Sequence, residues 1–373
     1  AASQTLTLTG VISGSGSVKF GDGTNTGTVV LSASSAIRNT GGVTVNSTLN
    51  VSPGASVGQS FSSSIVVNGT MSIDFGAQSN WTNNLIKDIV VNGTLNLGSA
   101  APGPDGSHIL GGVSGAAITG SGVINKIGTG VVNFASNGGY VVDLTNFTGS
   151  FNVKEGTLTF NQVGGSTSAS VVVAAGGTLD IRTSETIGAL SGAGTVVSSY
   201  GGVLTVNQSI DTTFSGTLAN GAGQLAIVKT GAGTLTLSGA NTYTGATTIS
   251  GGVLSISTSG NVGGTSGITL SDGKLLVTGN MLSAKAITLG SGTNTIAAAA
   301  SQTLTLTGVI SGSGSVKFGD GTNTGTVALS AVNTYTGATT ISGGVLSIST
   351  SGNLGSTSGI TLSRGKLLST GNI

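Results

Sequence analysis

Few side chains in this 373-residue chain could act on a substrate: 11 carboxylates, one His and one Trp. Cleavage of a glycan would need two carboxylates, or a carboxylate beside Lys or Arg, on neighbouring segments. The carboxylates instead lie singly along the chain. The densest patch is Asp180-Ile181-Arg182 with Glu185. Strand alternation puts Asp180 and Arg182 on one face, where they read as a surface ion pair. A Ser-His-Asp arrangement would have only His108 to use. That residue follows Ala101-Pro102-Gly103-Pro104-Asp105-Gly106-Ser107, whose prolines break the strand rhythm and predict a side loop over 99–117. Trp81, in the polar stretch Gly76 to Asn84, is a candidate for stacking on a sugar ring; packing at a corner is the simpler expectation. Gly21-Asp22-Gly23 and Gly319-Asp320-Gly321 are isolated, so no calcium-binding repeat is present. With no Cys there is neither a disulfide nor a thiolate metal site. The expectation is no catalytic group, no cofactor and no metal, with Trp81 and His108 as speculative ligand contacts.

The elements that would position these residues are strands. Gly (67), Ser (53) and Thr (55) dominate the chain, and only 6% of residues are charged. That is too few charged residues to clothe the wet faces of soluble helices. A formal charge of +1 argues against a nucleic-acid partner, which would need a basic stripe. No apolar run approaches the length of a membrane helix. The first residues lack the basic and apolar regions of a signal peptide, so the chain reads as processed or as a piece of something longer. Runs such as Thr5-Leu6-Thr7-Leu8-Thr9 and Thr234-Leu235-Thr236-Leu237 alternate with period two, which predicts half-buried strands.

Internal repetition says more. Residues 1–33 recur at 299–331, and residues 241–281 recur at 333–373. Shorter echoes, Val43 to Leu49, Ile65 to Met71 and Ile89 to Leu95, lie 22 and 24 residues apart. The 92-residue offset of the long repeat is four times 23. A unit of about 23 residues cannot bury its apolar face alone, whereas stacked coils cover one another. The sequence therefore predicts an all-β fold, one continuous parallel β-solenoid over 1–373. An array of β-sandwiches with Asn-Gly hairpin turns is the competitor. Stacking also accounts for the missing charge. Like charges one strand spacing apart, at about 4.8 Å, cost roughly 0.9 kcal/mol even in water, and a repeat would pay that in every coil.

The segment from Lys229 to Leu254 has the pattern K-x-G-x-G-T-L-x-L-x-G-x-N-x-Y-x-G-x-T-x-I-x-x-G-x-L at every fixed position. It closely resembles the autotransporter-associated β-strand repeat, also called the passenger-associated transport repeat. The pattern's structural positions are Gly231, Gly233, Asn241, Tyr243 and Gly245, with Asn333, Tyr335 and Gly337 in a second copy. The first half of that copy departs from the pattern. A weaker copy runs from Lys126 to Leu158, with Asn146-Phe147-Thr148-Gly149 in place of Asn-x-Tyr-x-Gly.

The resemblance implies a right-handed parallel β-helix from a secreted passenger. Such passengers are exported by type V secretion through an outer-membrane β-barrel translocator, which this chain does not contain. The expected function is that of a non-enzymatic extracellular stalk or fibre of a surface adhesin on a Gram-negative cell. It would act in attachment, aggregation or surface coating, with end-to-end self-association into filaments and a glycan or host-surface ligand as expected partners. The alternatives are a glycan-binding or glycan-processing passenger using a loop around 76–117 and, more weakly, a phage or surface fibre.

Overall fold

The computed structural model describes residues 4–24, 26–32, 37–39, 41–52, 64–74, 88–98, 107–109, 116–134, 142–160, 168–265 and 267–371. Among these residues nearly all regular structure is parallel strand, wound as a β-solenoid of about 22 residues per turn. Among the described residues the only helical pieces are two 3-10 turns, Ser259–Val262 and Ser351–Leu354. Among the described residues no helix is long and apolar enough to cross a membrane. The chain divides into two compact units, the second made of 189–193 and 198–373.

In the first unit, the strands Thr5–Leu8, Thr28–Leu31, Thr48–Val51, Thr70–Asp74 and Thr94–Gly98 pair in parallel, each on the next. Their first residues form a threonine column: Thr5, Thr28, Thr48, Thr70 and Thr94. In Thr48–Val51, Thr70–Asp74 and Thr94–Gly98 one face is apolar and turned inward, as period two requires, whereas Leu6 in Thr5–Leu8 is 56% exposed. Leu49, Leu95 and Leu97 are all 0% exposed. Further along, Phe134, Phe147, Phe151 and Phe160 fill the interior, with ring centroids 4.9 to 5.9 Å apart in edge and tilted contacts.

The second unit has three stacks. One holds Gly202–Asn207, Leu225–Thr230, Thr247–Ile249, Gly267–Leu270, Ala286–Leu289 and Ile310–Gly312. A second runs through Thr234–Leu237, Val253–Ile256, Lys274–Val277, Thr293–Ala298, Ser315–Phe318 and Thr339–Ile341. The third holds Met281–Ser283, Thr303–Leu306, Thr326–Leu329, Val345–Ile348 and Lys366–Ser369. Burial is made by the neighbouring coil. Ile268 and Leu270 are 3% and 0% exposed, lying between the strands Thr247–Ile249 and Ala286–Leu289. Their sequence counterparts Ile360 and Leu362, paired with Thr339–Ile341, are 42% and 56% exposed.

The register corrects one expectation. If 92 residues were a whole number of turns, the two copies of the long repeat would lie on the same face. Instead Thr247–Ile249 belongs to the first stack and its copy Thr339–Ile341 to the second. Likewise Val253–Ile256 belongs to the second stack and its copy Val345–Ile348 to the third. Turn lengths vary with the corner loops, and over four coils the differences add up to one face.

Candidate functional site

The repeated segment places its polar side chains where strand ladders stop. Between Thr234–Leu237 and Thr247–Ile249 the chain turns a corner without forming a strand, so the backbone groups there need other partners. Asn241 supplies them across three coils. Its Oδ1 accepts the N–H of Leu218 at 2.7 Å, and its Nδ2 donates to the carbonyl of Asn261 at 2.5 Å. Asn261 in turn donates to the Gly239 carbonyl at 2.9 Å and accepts from the N–H groups of Ser257 and Thr258, both at 2.9 Å. The second copy repeats this arrangement. Asn333 joins Ile310 to Asn353, and Asn353 donates to Ala331 while accepting from Ser349 and Thr350.

Tyr243 and Tyr335 are both 0% exposed. Their hydroxyls share hydrogen bonds with Thr247 Oγ1 at 2.7 Å and Thr339 Oγ1 at 2.9 Å. Burial pushes Tyr243 up to about 12, with the Thr247 bond opposing it. Tyr335 is raised for the same reason. Gly245 and Gly337 let coils approach closely: a Cβ at either would collide with the carbonyl oxygen of Leu225 or Gly314. A Cβ at Gly233 would collide in the same way with the Ile210 carbonyl.

The Lys of the pattern is a buried staple. Lys229 is 0% exposed, and its ammonium donates to the carbonyls of Thr230 (2.6 Å), Gly231 (2.9 Å) and, one coil on, Gly251 (3.4 Å). Gly231 has φ +71, a left-handed conformation that glycine adopts without strain. Lys126 in the first unit is built alike, donating to Ile127, Gly128 and Glu155. Burial pushes both lysines down to about 8, while the charge of Glu155 or Asp211 opposes the shift. In the second copy Phe318 takes the place of Lys229: Lys229 pairs with Ile249 as Phe318 pairs with Ile341. Lys317, which looks like the match by sequence, lies on the alternate face and is half-buried.

The other candidates do not converge. Trp81 lies outside the described residues. His108 was expected in a side loop, but its backbone lies in the strand Ser107–Ile109, paired in parallel with Val131–Asn133; its side chain is not among those described. The rest of 99–117, apart from Ala116 and Ala117, also lies outside the described residues. Asp180 and Arg182 do form an ion pair at 3.3 Å. It is sunk rather than superficial, with the two side chains 7% and 24% exposed. Glu185 accepts from Thr183 at 2.9 Å. Among the described residues no three His, Cys, Asp or Glu side chains group to hold a metal.

Two stretches, 227–256 and 316–348, match the family model described as the passenger-associated-transport-repeat. Over 90 residues the chain is 46% identical to the "Adhesin BmaC autotransporter" of Brucella suis biovar 1 (strain 1330). That stretch is 24% of this chain and 3% of the relative, so the chain spans a small part of that relative's length. No solved structure matches the chain. The matched stretches are those whose asparagines, tyrosines and glycines clamp adjacent coils, and in them the chain is similar to the passenger-associated transport repeats of autotransporters.

Proposed function

We propose that this chain is a non-enzymatic stalk of a surface adhesin, displayed outside a Gram-negative cell, where it serves attachment, aggregation or surface coating. One observation carries this reading. The polar side chains that define the repeat, Lys229, Asn241 and Tyr243, are all buried and bonded to their own or adjacent coils. They hold coils together and leave nothing over for a substrate. The adhesin relative supports the same reading.

The near-identity of 241–281 and 333–373 offers a clean test. Deleting the 92-residue segment 241–332 joins Ala240 to Asn333, which continues the sequence as Asn241 does. For a stalk, the displayed passenger still folds and is shorter by about four coils, about 19 Å. Attachment to the target surface then changes with reach but keeps its specificity. Specific glycan binding by this chain, lost on Trp81→Ala, would replace this reading with that of a glycan-binding passenger. End-to-end pairing between copies is the further part of the proposal. Sedimentation at rising concentration reads it, and a single species throughout would remove it.

A further inference from the structure

Three Asn-Gly dipeptides lie among the described residues: Asn68-Gly69, Asn92-Gly93 and Asn220-Gly221. Asn-Gly is chemically the most fragile pairing of an amide with its neighbour. Glycine has no Cβ to keep its backbone nitrogen from the preceding side-chain carbonyl carbon. The stack requires the dipeptide all the same. A Cβ on Gly69 would collide with the Ser47 carbonyl of the coil below, one on Gly93 with the Gly69 carbonyl, and one on Gly221 with the Ser198 carbonyl.

The same close approach disarms it. The N–H of Gly69 donates to the Val45 carbonyl at 2.9 Å, that of Gly93 to Val67 at 2.8 Å, and that of Gly221 to Ser198 at 3.0 Å. The nitrogen that would attack is held against the neighbouring coil. The amides are held as well. Asn68 Nδ2 donates to Asn46 Oδ1 at 2.8 Å, and Asn92 Nδ2 to Asn68 Oδ1 at 2.9 Å. Asn220 donates to Thr244 Oγ1 at 2.8 Å and accepts from the N–H groups of Leu225 (3.0 Å) and Thr244 (3.1 Å). Asn68 and Asn92 are exposed, so geometry must protect them, because solvent is not excluded.

We propose that Asn68, Asn92 and Asn220 are latent deamidation sites, kept as amides while their coils are stacked and converted when a coil opens. In the open chain the glycine nitrogen loses its proton and bonds to the Asn Cγ. The Cγ–Nδ2 bond breaks, ammonia leaves, and a five-membered imide closes. Water then opens the imide at either carbonyl, giving aspartate or isoaspartate. Conversion of Asn68 and Asn92 puts two carboxylates in adjacent rungs of one ladder. Isoaspartate also adds a methylene to the backbone at a turn whose coils are already in contact. Each event therefore favours further opening.

The test is a peptide map, resolving aspartate from isoaspartate, of the protein aged at mildly alkaline pH in buffer and in urea. Conversion at all three sites is expected to be at least about tenfold slower in the folded protein, because it proceeds only through local opening. Asn46→Ala removes the acceptor beneath Asn68 and is expected to speed conversion at Asn68 but not at Asn220. Equal rates in buffer and urea, or no conversion in urea, would overturn the proposal. An unchanged Asn68 rate in Asn46→Ala would overturn the ladder's part in it.

Discussion

Raising the pH from about 8 to 9.5 should stabilise this protein. Burial pushes Lys126 and Lys229 from the ordinary 10.5 down to about 8. Between those values the unfolded chain keeps protons that the folded chain has released, so stability rises with pH across the window. Below about pH 8 both states are protonated and the full cost of burying the charge is present. The slope is about 1.36 kcal/mol per pH unit per lysine. Going from pH 8 to pH 9.5 thus adds about 2 kcal/mol for each lysine. Tyr243 works the other way, because burial pushes it up to about 12, but its effect begins only above the ordinary tyrosine value of 10.0. Urea unfolding midpoints at pH 7, 8.5 and 9.5 measure the effect, provided the denaturant slope stays constant. Lys229→Met leaves the carbonyls of Thr230, Gly231 and Gly251 without their donor. It should be less stable than the parent at pH 9.5 while losing that lysine's share of the rise. A flat profile would refute the reasoning: it would mean that three carbonyls replace the lost hydration of the ammonium in full.

Tyr243→Phe leaves Thr247 Oγ1 buried without its 2.7 Å partner and should cost about 1–3 kcal/mol by thermal or urea unfolding; Tyr335→Phe should cost less, because Thr339 Oγ1 keeps Thr357 Oγ1 as a partner at 3.0 Å. Gly245→Ala drives a Cβ into the Leu225 carbonyl and should cost about 3 kcal/mol or more. Gly264→Ser is the control. Its nearest neighbour would be Thr244 Cγ2 at 3.4 Å and the second copy already carries Ser356, so its midpoint should stay within about 0.5 kcal/mol of the parent.

The stacking was legible because repetition and period two have one joint solution: a short amphipathic strand unit buries its face only against its own copy. Asn241 and Tyr243 stood out by recurring at Asn333 and Tyr335. The rotation of the second copy by one face was not legible. It accumulates from corner loops of unequal length, and no single corner shows it. The lysine staples were also hidden, since a lysine in a sparsely charged chain reads as a surface cation. Lys-x-Gly does not single them out: Lys19 and Lys317 also precede a left-handed glycine by two positions, yet Lys19 is exposed and Lys317 half-buried. Phe318 was masked by Lys317 beside it, because pairing partners, and not residue type, decide which side chain faces in. Asp180 and Arg182 were placed on one face by alternation, but alternation carries no information about how deeply that face is covered.

The one-face offset between the two repeat copies also bears on what a partner meets. Had 92 residues closed a whole number of turns, every duplication would have lined up its surface in one stripe, and a ligand binding that stripe would have approached from one side only. Because Thr247–Ile249 and Thr339–Ile341 belong to different stacks, duplicating this segment winds the same surface around the axis like a thread on a screw. Lengthening by such duplications makes a surface that looks alike from several directions.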